Sequence, residues 1–418
     1  MKKKLLFISF HFPPYNCIGA VRTGKTAKYL HEIGYDVRVI SAKKQNLPKN
    51  LRLEIPKKFI NYTEWIDLNK PLYKFFGNKK IDELKSLNQK FHFKGQIINS
   101  LKSIYQKFVH IPDSQIGWYP YAIKACNSLI ATEWIPDLIF SSATPYTSHL
   151  VASKVAKEHS IPWYAEFRDL WTGNHYRSSS FIDYFIEKRT MNHAKALISV
   201  SEPLARKLSE IHTINSYTIK NGYDDEDFKF KVEKINHNSN KILIIHTGSL
   251  YLGKRDPTIL FKALSSNAYL KKITNVEFYG PNLNWVNKLA IECGVSDIVS
   301  IKNPIPRNQV LRLQKQADLL LLITWDNPKE KGVYTGKFFE YIGSKTPILC
   351  IGATNDLPAQ AINKYNFGIS SNNTEDINNY LIRLKSKNII TSEKSRNKFN
   401  RRNQLMKLEK IFNLKEFT

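Results

Sequence analysis

The segment GVYTGKFFEYIGSKTPILCI, residues 332–351, predicts a helix followed by a strand. Thr335 is a typical helix cap, because its hydroxyl can accept a hydrogen bond from a free backbone N–H. Three apolar side chains at helical spacing form the predicted buried side: Phe338, Phe339 and Ile342. The apolar run Pro347–Ile351 then predicts a buried strand. The segment therefore predicts one helix–strand unit of an α/β fold.

Lys337 breaks a local rule in this segment. A cation in the first turn of a helix opposes the helix dipole, and such a broken rule often marks a functional site. Gly336 has no side chain, so an anion could approach the helix start closely. One interpretation is a diphosphate held by Lys337, with Glu340 accepting hydrogen bonds from sugar hydroxyls. The alternative is a solvated Lys–Glu pair on an ordinary helix.

The chain of 418 residues carries 63 basic and 36 acidic residues, a net charge of +27. Such a charge attracts polyanions, but we find no nucleic-acid-binding motif. Four scattered cysteines disfavour a zinc site and a disulfide scaffold. Lysines and aromatic residues alternate over residues 70–107, which fits a segment on an anionic membrane surface. A solvated helical insertion is the alternative interpretation.

Strands and helices alternate in both halves of the sequence. Lys4–Phe10 and Asp36–Ser41 predict strands around a helix, and Ile242–His246 begins a second series. This pattern predicts two doubly wound α/β domains. We predict an N-terminal domain over 1–228 with a basic insertion at about 60–117, a linker over 229–241, a C-terminal domain over 242–394 and a C-terminal helix over 395–418 that packs back on the N-terminal domain.

Three glycine-bearing loops follow strands and precede helices. They contain Gly19, the run TGSLYLGKRD from Thr247 to Asp256, and the opening segment. None has the spacing of a dinucleotide-binding motif or a P-loop. Lys254 and Arg255 again place cations directly before a helix, which favours a phosphorylated ligand. A disordered basic loop is the alternative.

In the first half, polar residues follow the strand at Trp163–Glu166. Arg168 and Asp169 lie at its end, and His149 lies in the helical region before it. One of these groups could act on a sugar hydroxyl or a leaving group. The alternative is a salt bridge between Arg168 and a carboxylate.

The sequence resembles glycosyltransferase family 4, the retaining enzymes of the GT-B fold. The matching segments occur in order over both halves: FHFPPYNCIGAVR, PDLIF, FRDLW, ALISVSE, KNGYDDEDF, HTGSLYLGKRDP, VEFYG, ADLLLL and GKFFEYIGSKTPIL. The resemblance implies two Rossmann-like domains facing each other across a cleft. It also implies transfer of a sugar from a nucleotide-sugar donor to a glycan or lipid-linked acceptor in polysaccharide biosynthesis. It implies no metal and no cofactor, and a cytoplasmic location, peripheral on the inner face of the membrane.

The resemblance also implies residue roles. Glu340 matches the glutamate that holds the donor ribose, and Arg255 with Lys254 matches the basic group on the diphosphate. We predict a donor-binding set of Gly19, Thr247, Gly248, Lys254, Arg255, Tyr334, Thr335, Gly336, Lys337 and Glu340. We predict a catalytic set of His149, Asp169, Arg255 and Glu340.

The sequence departs from the family pattern at three places. Gly332 stands where the family has its first glutamate, and Glu330 is near but out of register. Ser249 stands where many members carry arginine, and the strand end FRD lacks the catalytic histidine of the first half. A nucleotide-sugar epimerase of similar fold and a non-catalytic membrane-associated scaffold are therefore the alternative functions.

Overall fold

The computed structural model describes residues 2–69, 110–174, 180–232, 241–327, 332, 334–386 and 393–414. The chain divides into two compact units, Met1–Thr218 and Ile219–Thr418. The division therefore falls before the Asn-Gly turn at 221–222 rather than after residue 228. Residues after the turn are bound to the second unit, because Asp225 accepts a hydrogen bond from Asn400 at 2.6 Å and Asp227 pairs with Arg307 at 2.8 Å.

A seven-stranded parallel sheet forms the centre of the N-terminal unit, in the order β3-β2-β1-β4-β5-β6-β7. Leu5 of the interior strand β1 pairs with Val37 on one side and with Leu138 on the other. The strands are β1 (Lys4–Ile8), β2 (Asp36–Ala42), β3 (Ile60–Thr63), β4 (Leu138–Ala143), β5 (Trp163–Phe167), β6 (Ala194–Ser199) and β7 (Ser216–Thr218).

Helices cover this sheet, as its continuous apolar strands predict. They are α1 (Ile18–Glu32), α2 (Tyr119–Ile130), α3 (Thr147–His159), α4 (Phe181–Met191) and α5 (Glu202–His212). Three tryptophans are fully buried between helices and sheet: Trp118, Trp163 and Trp171. The N-terminal unit therefore has its own hydrophobic core.

The C-terminal unit repeats this plan with a six-stranded parallel sheet in the order β10-β9-β8-β11-β12-β13. Its strands are β8 (Ile242–Thr247), β9 (Thr274–Tyr279), β10 (Val299–Lys302), β11 (Leu319–Ile323), β12 (Ile348–Ile351) and β13 (Gly368–Ser370). Its helices are α6 (Thr258–Ser265), α7 (Ala268–Ile273), α8 (Asn284–Glu292), α9 (Arg307–Gln316), α10 (Gly336–Ser344), α11 (Leu357–Lys364), α12 (Thr374–Ser386), α13 (Glu393–Asn397) and α14 (Arg401–Phe412). The prediction of two doubly wound α/β units is confirmed.

Each sheet contains one point where the direction of winding reverses. The point lies between β1 and β4 in the first unit and between β8 and β11 in the second. Ligands of doubly wound sheets bind at the carboxyl ends of the strands at such a point, where loops to opposite faces leave a crevice. A ligand site is therefore expected in the loops that follow these strands.

Several parts of the sequence differ from their predicted organisation. The predicted insertion begins with strand β3, which pairs with β2, and its basic part at 70–109 lies outside the described residues. The predicted C-terminal helix over 395–418 is two helices, α13 and α14, separated by a turn at 398–400. Residues 233–240 of the predicted linker also lie outside the described residues. No helix within the described ranges is long and apolar enough to span a bilayer.

Candidate functional site

Lys337 lies in the first turn of α10, at the carboxyl end of the C-terminal sheet. Its Nζ atom lies 3.1 Å from the carbonyl oxygen of Ser249 and 3.4 Å from Nε2 of His246. An ammonium group has three N–H donors, so one is left without a partner among the described residues. Burial first, and the charge of Arg255 second, lower the pKa of Lys337 to about 8, although Glu340 opposes this. Lys337 is thus a partly buried cation with an open donor.

His246, at the end of β8, receives one of the Lys337 N–H groups. Its Nδ1 atom lies 2.9 Å from the carbonyl oxygen of Leu321, which can only accept, so Nδ1 carries the proton. Burial, and then the charge of Lys337, hold the pKa of His246 well below its usual value. The neutral ring therefore offers the Nε2 lone pair to Lys337. The histidine fixes the position of the ammonium group without adding positive charge.

Two glycines leave space around Lys337. A Cβ atom at Gly248 would lie 2.5 Å from Cε of Lys337, and its φ of +108° also disfavours a side chain. For Gly336, the first residue of α10, no heavy atom of the described residues outside its chain neighbours and its own helix backbone lies within 4 Å of where a Cβ would be. Gly248 leaves space for the side chain of Lys337, and Gly336 leaves the N-terminus of α10 accessible to an anion.

The loop before α6 brings further cations to this region. Arg255 is close enough to Lys337 to lower its pKa, and its guanidinium lies 5.9 Å from the ring centre of Tyr251. The Nζ atom of Lys254 lies 4.7 Å from the ring centre of Trp325, which follows β11. The structure therefore brings together the positive residues of two loops that are distant in sequence.

Glu340 lies one turn after Lys337 on α10. Its Oε1 atom lies 3.3 Å from Nε of Arg307, and the same guanidinium binds Asp227 at 2.8 Å. Arg307 thus orients the carboxylate that the sequence assigns to a ribose. Asp227 belongs to the acidic run Asp224–Asp227. Asp224 is buried, and Asp225 and Asp227 bind side chains of the C-terminal unit.

Three residues of the predicted donor-binding set have structural contacts. Thr335 caps α10, as predicted, with its hydroxyl 3.4 Å from the backbone nitrogen of Phe338. The hydroxyl of buried Thr247 accepts from Gln314 at 3.1 Å, which fixes the end of β8. The ring of Tyr334 packs in an aromatic cluster, with centroid distances of 4.8 Å to Phe338 and 6.1 Å to Phe399.

Two of the residues at which the sequence departs from the family pattern make structural hydrogen bonds. The buried backbone nitrogen of Gly332 donates to Asp356 at 2.8 Å, which fixes the chain before α10. Ser249 supplies its carbonyl oxygen to Lys337. Glu330 lies outside the described residues. Among the described residues of the segment 332–340, the charged side chain that contacts the loop after β8 is that of Lys337.

Arg168 lies in the N-terminal unit, directly after β5. Its Nε donates to the carbonyl oxygen of Ala143 at 2.9 Å, and Nη2 donates to that of Thr144. Nη1 is buried and lacks a hydrogen-bond partner among the described residues. A Cβ atom at Gly19 would lie 2.0 Å from Nη1. Glycine is therefore needed here because the guanidinium rests against the first turn of α1.

The alternative interpretation of Arg168 as the partner in a carboxylate salt bridge is wrong for Glu166. That carboxylate is fully buried and pairs instead with Arg22 at 2.7 Å, while Ser142 donates to it at 2.6 Å. Asp169 is partly buried, and burial raises its pKa despite the nearby charge of Arg168. Asp169 and Gly19 therefore both lie near one guanidinium.

His149 and His11 differ from what the sequence suggests. His149 is fully buried within α3, bound through Nδ1 to Ser141 at 2.8 Å, and burial lowers its pKa to about 3. It belongs to the core rather than to an open site. His11, which we did not predict, follows β1 and is held through Nδ1 by Gln45 at 2.7 Å. Burial lowers its pKa to about 4, and the charge of Arg168 adds to this.

The site signals for His11 and Arg307 were present in the sequence. His11 is a polar residue directly after the apolar run of β1, where parallel strands end at a ligand crevice. Arg307 is a cation in the first turn of α9, which is the same broken dipole rule that marks Lys337.

Solved structures share this architecture over nearly the whole chain. HepE from Anabaena, solved in complex with UDP, matches with a TM-score of 0.62 at 13% identity, covering 99% of both chains. A glycosyltransferase from Rickettsia africae matches with a TM-score of 0.58 at 16% identity, covering 98% of both chains. A putative UDP-N-acetylglucosamine 2-epimerase from Listeria monocytogenes matches with a TM-score of 0.55 at 13% identity, covering 99% of this chain and 96% of the other.

Neither a protein-family model nor a curated protein matches the sequence. At these low identities, the structural matches establish the fold. Two doubly wound parallel sheets of seven and six strands, each with helices on its faces, agree with that result. The chain has the GT-B fold of glycosyltransferases, built from two Rossmann-like units.

Proposed function

We propose that this protein is a retaining glycosyltransferase that transfers a hexosyl group from a nucleotide-sugar donor. The proposal rests on the third N–H donor of Lys337, which has no partner among the described residues and lies at the start of α10, beside Arg255. Two cations and a helix N-terminus at the reversal point of the sheet suit a diphosphate. Support also comes from HepE, which shares the fold and was solved with UDP.

These groups suit the chemistry of sugar transfer. The acceptor oxygen bonds to the anomeric carbon while the bond from that carbon to the diphosphate oxygen breaks, and the proton of the acceptor hydroxyl passes to the departing diphosphate. Negative charge then develops on the leaving diphosphate, and fixed cations stabilise it most when they require no reorganisation. His246 and Ser249 hold Lys337 in place before the ligand binds. Transfer without a metal or cofactor remains our prediction.

We place the acceptor on the N-terminal unit. The buried Nη1 of Arg168, the first turn of α1 and His11 converge at the reversal point of that sheet. We propose a glycan or a lipid-linked sugar as the acceptor, and a role in cell-surface polysaccharide biosynthesis at the inner, cytoplasmic face of the membrane. His149 and Asp169 remain our candidates for the first-half catalytic residue, although the burial of His149 favours Asp169.

Replacing Glu340 with glutamine tests the ribose contact. Hydrogen bonds to a charged group contribute about 1.5–3 kcal/mol, so we expect the Kd for the nucleoside diphosphate to rise about 10- to 100-fold. A thermal-shift screen over nucleotide sugars first identifies the base, and calorimetry then gives the Kd. Glu292→Gln, at an exposed position on α8, is the matched control. An unchanged Kd in Glu340→Gln would refute the ribose role.

Replacing Gly336 with alanine tests whether the diphosphate lies at the start of α10. The free protein has room for the methyl group, so the melting temperature should stay the same. The methyl group would keep the phosphate from the helix start, and we expect the nucleoside diphosphate to bind more weakly while the nucleoside binds as before. Equal affinities for the diphosphate in both proteins would place the phosphates elsewhere.

An epimerase is the second candidate, because the Listeria structure shares the fold over nearly its full length. An epimerase needs no acceptor. Conversion of a nucleotide sugar without any acceptor would favour this function, whereas release of nucleoside diphosphate that depends on an added glycan would favour the transferase.

A further inference from the structure

Helix α4 presents large apolar side chains outward. Relative exposures are 84% for Phe181, 48% for Ile182, 41% for Tyr184 and 58% for Phe185. A helix that packs on a core normally buries its apolar face. Contiguous exposed apolar side chains on a soluble unit mark a site of interaction with a protein or a membrane.

The acidic side chains of α4 point the other way. Asp183 is buried and forms a capping box with Ser180, with backbone-to-side-chain hydrogen bonds of 3.0 and 3.1 Å. Glu187 is buried and accepts from the backbone of Thr172 at 2.9 Å and from His212 at 3.2 Å. These hydrogen bonds fix which face of α4 points outward. The exposure of the aromatic side chains therefore follows from how the helix is anchored to the unit.

The exposed charges of α4 are therefore all positive. Lys188 and Arg189 follow the apolar cluster and are exposed, and Nζ of Lys188 lies 6.0 Å from the ring centre of Tyr184. Both carboxylates of the helix are buried. The outward face thus combines aromatic and aliphatic side chains with cations, which suits contact with an anionic membrane surface.

We propose that the outward face of α4 docks on an anionic lipid bilayer. Phe181, Ile182 and Phe185 enter the boundary between headgroups and acyl chains, and Tyr184 lies at headgroup level. Lys188 and Arg189 contact the lipid phosphates. The side chains of this surface all belong to described residues, and none of them is part of the sequence segment 70–107. This inference rests on the proposed location at the membrane face and names the surface that would bind the bilayer, and its contacts do not depend on the donor site.

A second copy of the chain fits this face less well. Four side chains offer a few hundred Å² of apolar surface, whereas a stable protein interface buries about 800 Å² on each partner. Pairing α4 with another α4 would also bring cations together with no exposed carboxylate on either helix. A lipid surface needs no matching shape and supplies the negative charge.

Co-sedimentation with vesicles of phosphatidylglycerol and phosphatidylcholine tests the apolar contact in the full chain. We expect Phe181→Ser with Phe185→Ser to bind roughly tenfold more weakly or worse, because two buried rings leave the bilayer. Tyr269→Ser is the control, because Tyr269 is 58% exposed on α7. Unchanged binding of the double variant, or an equal loss in the control, overturns the proposal.

The same vesicles test the charges. Lys188→Ala with Arg189→Ala should reduce binding roughly tenfold, and high salt should remove the difference from the parent. Vesicles of phosphatidylcholine alone should bind the parent weakly. The control pair is Lys272→Ala with Lys364→Ala, two exposed lysines of the C-terminal unit. Equal losses in both pairs would show a general effect of net charge and overturn the proposal.

Two further measurements keep the result unambiguous. Thermal melting of each variant should match the parent, because every replaced side chain is exposed. Sedimentation velocity should show no self-association that depends on Phe181 and Phe185. A parent dimer that the double serine variant abolishes would assign the face to a second copy instead. Neither measurement depends on transferase activity, so failure of the proposed function leaves this test intact.

Discussion

Replacing Lys337 with methionine is expected to lower kcat/KM for sugar transfer about 10²- to 10³-fold, the loss typical for one fixed donor at a developing negative charge. Methionine keeps most of the side-chain length that passes Gly248 but removes the open N–H donor. Steady-state kinetics with the donor found by the thermal-shift screen measure the loss. Lys262→Met is the matched control, because Lys262 is an exposed lysine on α6. Equal kinetics in the two variants would contradict a role for Lys337 in transfer.

The pH profile gives this prediction a second readout. The pKa of Lys337 is about 8 in the ligand-free protein, so the side chain carries its charge below that pH and loses it above. We expect kcat/KM, which reports the free enzyme, to fall as pH rises through about 8. His246, Arg255 and Glu340 face Lys337, and burial holds the pKa of His246 well below its usual value, so the histidine stays uncharged in this range. In Lys337→Arg the fall should disappear, because arginine stays charged. A fall that persists in Lys337→Arg would assign it to another group.

Replacing Glu166 with alanine is expected to cost the N-terminal unit about 3–5 kcal/mol of unfolding free energy. The change leaves the buried guanidinium of Arg22 without its carboxylate, which is the costly way to break a buried ion pair. Urea unfolding followed by tryptophan fluorescence measures it, and five of the seven tryptophans lie in this unit: Trp65, Trp118, Trp134, Trp163 and Trp171.

Glu158→Ala is the control for that measurement. Glu158 also forms an ion pair, with Lys154 at 2.7 Å, but both side chains lie at the surface of α3. Exposed pairs contribute little, because solvent screens them. A small loss in Glu166→Ala, similar to that of the control, would show that the core relaxes around Arg22.

Local patterns predicted what depends on neighbours in sequence. Thr335 caps α10 as expected, because capping needs only the hydroxyl and the next three residues. The continuous apolar runs of β1, β8 and β11 predicted buried parallel strands. The pairing of Lys337 with the loop after β8 could be predicted in outline, because the carboxyl ends of neighbouring strands meet at one edge.

Contacts between distant strands were harder to predict. Arg168 binds carbonyl oxygens after β4 and rests on Gly19 after β1, so its position depends on the order of three strands in the sheet. The same strand order places Arg22 beside Glu166. Glu166 therefore pairs with Arg22 and not with Arg168. Helix α4 was missed for another reason. Its inward residues include Asp183, Glu187 and Thr190, so the usual apolar stripe toward the core is absent.

Arg307 shows that a cation in the first turn of a helix does not by itself indicate a ligand site. Like Lys337 it is a cation in the first turn of a helix, but carboxylates of the protein itself, Asp227 and Glu340, balance its charge. Lys337 instead contacts the uncharged partners His246 and Ser249, so the same sequence pattern occurs in two different electrostatic settings.

The pairing of β1 with β4 also sets the timing of folding during synthesis. Leu5 of β1 pairs with Leu138 of β4, and 138 − 5 = 133 residues separate them. Ribosomes add about 5–20 residues per second, so β4 is synthesised roughly 7–27 s after β1. Until then β1 can pair only with β2, and its apolar edge stays open. Strand β1 is thus a segment of the nascent chain that a chaperone would protect during this interval.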